Sequence, residues 1–566
     1  MEPAPLTGAA EAKRWLRSLS SEVRGPLVAA VIAGTLAGVF TVVQLGLVAG
    51  IVQAALVEGR PVASLTGWFA ALLAALALRT LAQGVQTRFA ARGSARVQAR
   101  VRQQMLASWA ESGPVRLMDS SAGTLAREWL DHVAALHGYF ARFQPQMWLS
   151  VISPLIILIV VFQLDWLAAI FLILAAPLIP LFMALVGMGA ENVNQRHFET
   201  VARLSGFFLD RVRGLTTLQL FGQTEPASAE IRLRSDQYRR LTMETLRIAF
   251  LSSAVLEFFS SVAIAVVAIY IGFGLLGSIQ YGPAADLTLF SGLFVLLLAP
   301  EFFQPLRQLS QHYHDRASAL GAARLILDRI QSAPPRPTAT NTKVCDAAQR
   351  EAREVAVVLS GVGLTFPNGR SGLVDVSLTV PVGSTTVLAG PSGGGKSTLL
   401  HVIAGFLPTD TGTVRVFGAA PGQQAFGWLG QSPFLKQGSW ADNLRLVAPD
   451  ATEAQMVAAL KTVGLEQLIG SRRDGINSPV GESGAGLSGG QARRLSLARC
   501  FLADYSLILL DEPTAGLDQA SEEQVIAALA ELARRGKTLI VSTHHSAVMA
   551  MADQVCSVAH GRIHHD

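Results

Sequence analysis

Eight residues, Gly390 to Ser397, follow an apolar stretch and precede a helical pattern in "TTVLAGPSGGGKSTLLHVIAG". They match the G-x4-GK[ST] pattern in its strand, loop, helix context, which is specific for a phosphate-binding loop. Backbone N–H groups of the glycines can approach phosphate oxygens, Lys396 can reach the terminal phosphates, and the Ser397 hydroxyl can ligate Mg²⁺. We therefore predict that ATP and Mg²⁺ bind at Gly390, Ser392, Gly393, Gly394, Gly395, Lys396, Ser397 and Thr398.

A second apolar stretch, "SLILLDEP", ends in Asp511 and Glu512. Four apolar residues before the acids indicate a buried strand, whose carboxyl end is where a parallel sheet presents ligands. We expect Asp511 to hold Mg²⁺ and Glu512 to polarise the attacking water as a general base. The alternative interpretation, two solvated acids at a strand end, is disfavoured because the chain also has a phosphate loop.

A Gly-rich segment, "VGESGAGLSGGQARRLSLARC", contains Leu487-Ser488-Gly489-Gly490-Gln491 at the predicted start of a helix. The serine hydroxyl, the glycine amides and the helix dipole can face an anion there. The motif LSGGQ is the signature of ATP-binding-cassette (ABC) proteins, which the chain resembles through its last 200 residues or so. In that family the anion is the γ-phosphate held by the phosphate loop of the other subunit. The resemblance therefore implies half of an ATP site, formed by Ser488, Gly489, Gly490 and Gln491, and a dimer.

Further positions match the same family. Gln431 in "WLGQSPFL" is similar to the glutamine that senses Mg²⁺ and contacts the membrane helices. Asp518 in "AGLD" resembles the acid of the D-loop, and His544 in "VSTHH" resembles the switch histidine that contacts the γ-phosphate. Phe366 occupies the place where the family usually has a tyrosine that stacks on adenine, and a phenylalanine can also stack.

The elements that carry these motifs occupy only part of the chain. Of 566 residues, 50% are hydrophobic, and the long apolar runs lie before about residue 310. Six stretches are long enough to cross a bilayer, which needs about 20 helical residues. We place them near 26–57, 62–86, 145–163, 166–189, 249–276 and 286–306.

Basic residues are distributed asymmetrically between these spans. The amino-terminal arm and the segments after the second and fourth spans are rich in Arg. In the connections on the opposite side, Arg60 is the only basic residue. This asymmetry predicts that both termini are cytoplasmic. It also accounts for the net charge of +5 without a nucleic-acid partner, which we do not expect. The two long basic segments lack obvious breaks, so the spans are expected to continue as helices into the cytosol.

Three ionisable residues fall inside the apolar spans: Arg79, Glu257 and Glu301. A central charge costs about 2.5 to 3.5 kcal/mol on the insertion scale, so these side chains should face an interior. They could line a polar substrate cavity. An interhelical ion pair or a position near the membrane surface would explain them equally well.

The predicted fold is an α-helical membrane domain of six transmembrane helices, fused to an α/β P-loop cassette. We assign 1–330 to the membrane domain, 331–354 to a linker and 355–566 to the cassette. This order resembles an exporter half-transporter of the bacterial inner membrane, surrounded by lipid. Segments such as "LLLAPEFFQPLRQLSQHYHDRASALGAA" narrow the resemblance to the CydDC family of heterodimeric exporters.

That resemblance implies a CydC-like half-transporter as partner and a small-molecule cargo in support of cytochrome bd assembly. The cargo would be glutathione and cysteine, or haem, which could also be a bound ligand. Two alternatives stay open: a homodimeric lipid or drug exporter, and an ATP-gated channel or regulator. A complete hydrolytic set in Lys396, Gln491, Glu512 and His544 disfavours the second alternative.

Overall fold

The structure is a computed structural model that describes residues 7–118, 122–177, 207–208, 210–279, 281–331, 354–366, 369–481 and 484–565. The chain divides into two compact units. One, called here the helical unit, comprises Met1–Trp109 and Ser120–Ala333. The other, the sheet unit, comprises Ala110–Asp119 and Pro334–Asp566. Most of the predicted linker, 332–353, lies outside the described residues.

Ten α-helices precede the linker in the part of the chain that the structure describes. They are α1 Thr7–Glu22, α2 Arg24–Leu56, α3 Thr66–Met118, α4 Ala122–Arg127, α5 Val133–Gly138, α6 Gln144–Leu164, α7 Trp166–Ala175, α8 Leu215–Leu220, α9 Thr224–Leu275 and α10 Leu289–Gln331. Short π-helical turns at Glu128–His132 and Tyr139–Phe143 join α4, α5 and α6.

Five of the described helical stretches are long and apolar enough to cross a membrane. They are Arg24–Leu56, Val62–Leu117, Gly123–Leu164, Glu257–Leu275 and Leu289–Gln331. A sixth predicted span begins with α7, and its remainder from 178 to 189 lies outside the described residues. These helices confirm a multi-span helical membrane domain.

Three helices are much longer than a bilayer requires. Helix α3 has 53 residues, α9 has 52 and α10 has 43, whereas about 20 residues span the hydrocarbon core. The expectation of an unbroken extension after the second span was wrong in one place. Gly113 leaves the helical conformation with φ 74° and ψ 168°, and Pro114 follows it, so the helix breaks at this Gly-Pro pair.

Helix α10 forms the centre of one core of the helical unit. Its residues Val295, Leu298, Ala299 and Phe303 have no exposed surface, and the helix packs against α2, α6 and α9. Their i, i+3, i+4, i+8 spacing places them on one face of the helix. This packing holds the spans together through side chains that lie far apart in sequence.

The sheet unit contains all the described strands. They are β1 Val355–Thr365, β2 Ser371–Pro381, β3 Thr385–Ala389, β4 Thr411–Val416, β5 Gly427–Leu429, β6 Gly438–Ser439, β7 Pro479–Val480, β8 Leu507–Asp511, β9 Thr538–Ser542, β10 Gln554–Ala559 and β11 Arg562–His565. The helices between them are α11 Lys396–Ile403, α12 Trp440–Arg445, α13 Glu453–Thr462, α14 Glu466–Gly470, α15 Gly489–Leu502, α16 Gln519–Arg534 and α17 Ser546–Ala550.

A six-stranded sheet in the order β11-β10-β3-β9-β8-β5 forms the centre of this unit. All neighbours from β10 to β5 pair in parallel, and β11 closes one edge antiparallel. An antiparallel sheet in the order β2-β1-β4 and the short pair β6-β7 complete the strands. The parallel strands read as continuous apolar runs because helices or strands cover both of their faces.

The two faces of the central sheet bury different elements. Leu388, Leu509 and Ile540 point to the face covered by α11 and the antiparallel sheet. Their strand neighbours Val387, Leu510 and Val541 point to the other face, where α13, α15 and α16 pack. Since side chains alternate along a strand, the phosphate-loop helix α11 and the signature helix α15 lie on opposite faces of the sheet.

Candidate functional site

Four neighbouring parallel strands bring predicted site residues to one edge of the central sheet. The phosphate loop follows β3, Asp511 ends β8, His544 comes two residues after β9, and Gln431 comes two residues after β5. Parallel strands end at a common edge, which is where open α/β sheets bind ligands. The strand order therefore gathers residues that lie more than 150 positions apart in the sequence.

The phosphate loop curls tightly between β3 and α11. Gly390 has a φ of 138°, and a Cβ there would overlap the carbonyl oxygen of Val558 in β10. Only glycine fits this close approach. The Lys396 ammonium donates to the carbonyl oxygens of Gly390 at 2.8 Å and Pro391 at 2.9 Å, which holds the buried lysine across the loop.

Asp511 and Glu512 are fixed by one residue of the neighbouring strand. The hydroxyl of Ser542 donates to the Asp511 carboxylate, while the backbone N–H of Glu512 donates to the Ser542 carbonyl oxygen at 3.0 Å and to its hydroxyl at 3.1 Å. Glu512 has a φ of 50°, in the left-handed region that a non-glycine residue rarely adopts. Ser542 thus holds the Asp511 carboxylate and the Glu512 backbone, contacts that the sequence pattern did not reveal.

Arg493, in the first turns of the signature helix α15, connects two loops of the site. Its guanidinium donates to the backbone carbonyl oxygen of Gln431 at 2.7 Å and to that of Ala515. Burial lowers the pKa of Arg493, and the negative charge of Glu512 opposes this shift. The arginine therefore ties the loop after β5 to the loop after β8.

The signature residues form the amino terminus of α15. Ser488 is its N-cap: the hydroxyl accepts from the backbone N–H of Gln491 at 3.2 Å, and the Gln491 side-chain oxygen accepts from the N–H of Ser488 at 3.0 Å. This reciprocal capping box orders the turn. Ser488 and Gly489 are exposed, so the helix end faces outward.

Comparison with known proteins places this arrangement in a family. Residues 27–300 match the family model for the ABC transporter transmembrane region, and residues 373–515 match the model for the ABC transporter. The chain is 38% identical to the glutathione/L-cysteine transport system ATP-binding/permease protein CydD of Escherichia coli (strain K12), over 98% of this chain and 94% of that protein. The chain is a CydD-like member of the ABC transporter family.

Other relatives agree with this assignment. The glutathione/L-cysteine transport system protein CydC of Bacillus subtilis (strain 168) is 32% identical over 83% of this chain and 81% of that protein. A solved structure of a bacterial Atm1-family ABC exporter superimposes with a TM-score of 0.78 at 19% identity, covering 96% of this chain and 94% of that one. The predicted fold and the coupling of ATP hydrolysis to transport are confirmed at the level of the family.

The remaining predicted positions of this ABC transporter chain lie on exposed or half-buried loops. Phe366 directly follows β1, and its ring packs beside Gly372 within the β1-β2 hairpin. Asp518 caps α16 by accepting from the N–H of Ser521, and the hydrogen bonds from Ser521 hold the pKa of Asp518 below its usual range. His544 and Gln431 are exposed. Their roles toward ATP remain predictions.

The ionisable residues of the membrane helices have partners in two of three cases. Arg79 donates to the side-chain oxygen of Gln44 at 3.1 Å. Glu257 accepts from Arg307 at 2.9 Å, which is the interhelical ion pair considered from the sequence. Glu301 is half-buried and has no hydrogen bond or ion pair within the described residues. A substrate cavity formed by Arg79, Glu257 and Glu301 remains a prediction.

Proposed function

We propose that this chain is one half of a heterodimeric exporter that moves glutathione or cysteine across the bacterial inner membrane, with a CydC-like partner. The observation that carries the proposal is the 38% identity to CydD over 98% of this chain. Both termini and the sheet unit would face the cytoplasm, as the Arg-rich connections favour.

The geometry of the predicted ATP site favours a dimer in which each ATP site is built from residues of both chains. The phosphate loop and the signature helix belong to opposite faces of the central sheet, so a second subunit is the natural source of the facing signature. ATP held by Gly390 to Thr398 of this chain would face the partner's signature. Ser488 to Gln491 of this chain would face the ATP on the partner.

Within the site, Glu512 would act as the general base that accepts a proton from the attacking water. Its backbone N–H donates to the Ser542 hydroxyl, which holds the main chain at this residue. Ser397, Gln431 and Asp511 offer hard oxygen donors that suit Mg²⁺. When bound, Mg²⁺ would neutralise charge on the phosphates. His544 would donate to the γ-phosphate, and Phe366 would stack on the adenine.

The proposal is tested by purifying the chain alone and together with a CydC-like partner, each in lipid. ATPase activity is measured with reduced glutathione, cysteine or haem added separately, and uptake of labelled glutathione and cysteine is followed in inside-out vesicles. We expect activity and thiol uptake only with the pair. Full activity of the chain alone, indifferent to all three compounds, would instead indicate a homodimeric lipid or drug exporter. Stimulation by haem alone would make haem the cargo.

A further inference from the structure

A groove lies where the first helix meets the first membrane span and the start of α6. Its volume is about 510 Å³, within the range of about 300 to 1,000 Å³ that is typical of small-molecule sites. All of its lining residues belong to the helical unit. None of them takes part in the predicted ATP site or in the polar pairs of Arg79 and Glu257.

One end of the groove is polar and cationic. It is lined by Arg17, Ser20, Ser21, Arg24 and Gln144. Both arginines are exposed, and neither forms a hydrogen bond or an ion pair with any residue that the structure describes. Glu22, the nearest acid in the sequence, lies 3.9 Å from Arg100 instead. Two positive charges therefore converge on the groove without a negative partner from the protein.

The other end of the groove is apolar. It is lined by Leu27, Val28, Val31, Ile32, Met147 and Trp148. Val28 and Ile32 are each 55% exposed, and Trp148 is 59% exposed. These residues continue along α2 and α6, which are membrane spans, so we expect their exposed side chains to contact acyl chains. Tryptophan at this level is typical of the membrane interface.

The orientation of α1 keeps the two arginines at the groove. Ala12, Leu16 and Leu19 are buried on one face of α1, against the core that includes Val101 and Phe140. Arg17 lies on the opposite, exposed side. Because α2 begins at Arg24 and is apolar from Pro26 onward, the cationic end lies where the span enters the membrane. A ligand with an anionic head and an apolar tail fits this order of surfaces.

We propose that this groove binds one anionic glycerophospholipid of the adjacent leaflet. Its phosphate would lie between Arg17 and Arg24 and accept from their guanidinium groups, and one acyl chain would lie along Val28, Val31 and Ile32. Anionic lipids are concentrated at the cytoplasmic surface of membranes, where each arginine favours them by about fivefold.

The test uses the full chain with its partner, reconstituted in nanodiscs of phosphatidylcholine with a minor fraction of phosphatidylglycerol. The complex is re-extracted in mild detergent, and the retained lipids are quantified by mass spectrometry. We expect phosphatidylglycerol to be enriched several-fold over its fraction in the bilayer. Arg17→Gln with Arg24→Gln should return the retained lipid to the bulk ratio.

Two further variants distinguish a built site from general surface charge. Lys13→Gln with Arg14→Gln removes the same charge from exposed positions of α1 outside the groove, and enrichment should persist. Ser21→Trp fills the polar end without changing charge, and enrichment should be lost. Equal loss in both double variants, or full enrichment in Ser21→Trp, would overturn the proposal. So would an absence of enrichment in the unmodified complex.

Discussion

The sheet unit and the helical unit position their polar residues in different ways. In the sheet unit, each predicted site residue lies at or just after the end of a strand or the start of a helix, so a short motif carries both the side chain and its backbone geometry. In the helical unit, several polar contacts between different helical segments join residues far apart in sequence. The separations are 35 for Arg79 and Gln44, 50 for Glu257 and Arg307, 105 for Asp165 and Tyr270, and 201 for Glu128 and Arg329.

This contrast follows from the groups that each unit must bind: phosphate in the sheet unit and charged side chains in the helical unit. Phosphate is bound by backbone N–H groups at loops and helix ends, and their positions depend on local conformation. A charged group between membrane helices needs a partner inside the protein, and in these pairs the partner is a side chain distant in sequence. Variants of the sheet unit should therefore affect ATP turnover, whereas variants of the paired residues in the helical unit should affect stability.

The largest effect should come from Glu512→Gln. Loss of a general base reduces turnover by about 10² to 10⁴-fold, while ATP binding should be retained because the phosphate loop is unchanged. ATPase rates and nucleotide affinity of the reconstituted pair provide the measurement. Glu523→Gln, at an exposed position of α16, is the matched control and should leave both unchanged. Hydrolysis at the normal rate in Glu512→Gln would exclude Glu512 as the base.

A smaller loss is expected from Ser488→Arg, which removes the N-cap and puts a long cation at the exposed end of α15. Turnover should fall by about tenfold or more, since one anion-binding helix end is blocked. Thr452→Arg removes the same kind of capping box from α13 and serves as the control. If the two variants lose activity equally, the signature helix has no special role in turnover.

Asp165 provides the corresponding test of the helical unit. Its buried carboxylate accepts from the N–H groups of Leu167 and Ala168 and from the Tyr270 hydroxyl, each at 2.9 Å. Asp165→Ala leaves these donors unsatisfied and should reduce the free energy of unfolding by about 1 to 3 kcal/mol. Tyr270→Phe should cost less, at about 0.5 to 1.5 kcal/mol.

Thermal unfolding of the purified chain in detergent measures both effects. Glu58→Ala, at an exposed ion pair with Arg60, is the control and should change stability by less than about 1 kcal/mol. An unchanged midpoint in Asp165→Ala would show that this long-range contact does not stabilise the helical unit.

The smallest effect concerns His401 on the phosphate-loop helix. Burial lowers the pKa of His401 from 6.5, and nearby Asp511 partly opposes the shift. As pH falls through about 6.5, the unfolded chain binds the proton before the folded chain does, so stability should decrease from pH 7 to pH 5. His401→Gln should flatten that decrease, whereas His564→Gln, at an exposed position, should not. Identical pH profiles for both variants would contradict the assignment.

The sequence predicted site residues best where their geometry depends only on neighbouring residues in the chain. The strand, loop, helix pattern around Lys396 and the N-cap at Ser488 both appear in the structure where the motifs placed them. Ser542 and Arg493 were missed because their contacts depend on which strand lies beside β8 and on how α15 meets the loops after β5 and β8. Neither neighbour can be read from spacing along the chain.

The membrane helices show the same limit. Apolar length predicted that the spans exist, but it could not predict that Glu257 meets Arg307 or that Asp165 meets Tyr270, because those pairs depend on helix packing. The break at Gly113 was missed although Gly-Pro is a known breaker of helices. The prediction relied on the helix-forming composition of the whole segment and gave too little weight to the two residues that interrupt it.

At position 512, the left-handed backbone favours glycine for stability, whereas the proposed chemistry requires a carboxylate. A non-glycine residue held at positive φ costs on the order of 1 to 3 kcal/mol, which glycine would relieve and asparagine would reduce. Selection of a mutant library for heat resistance alone should therefore enrich Glu512→Gly and Glu512→Asn, which remove the carboxylate. Selection for growth that depends on export should eliminate the same alleles. The proposed role of Glu512 as the general base would explain why a residue with a strained backbone is retained at this position.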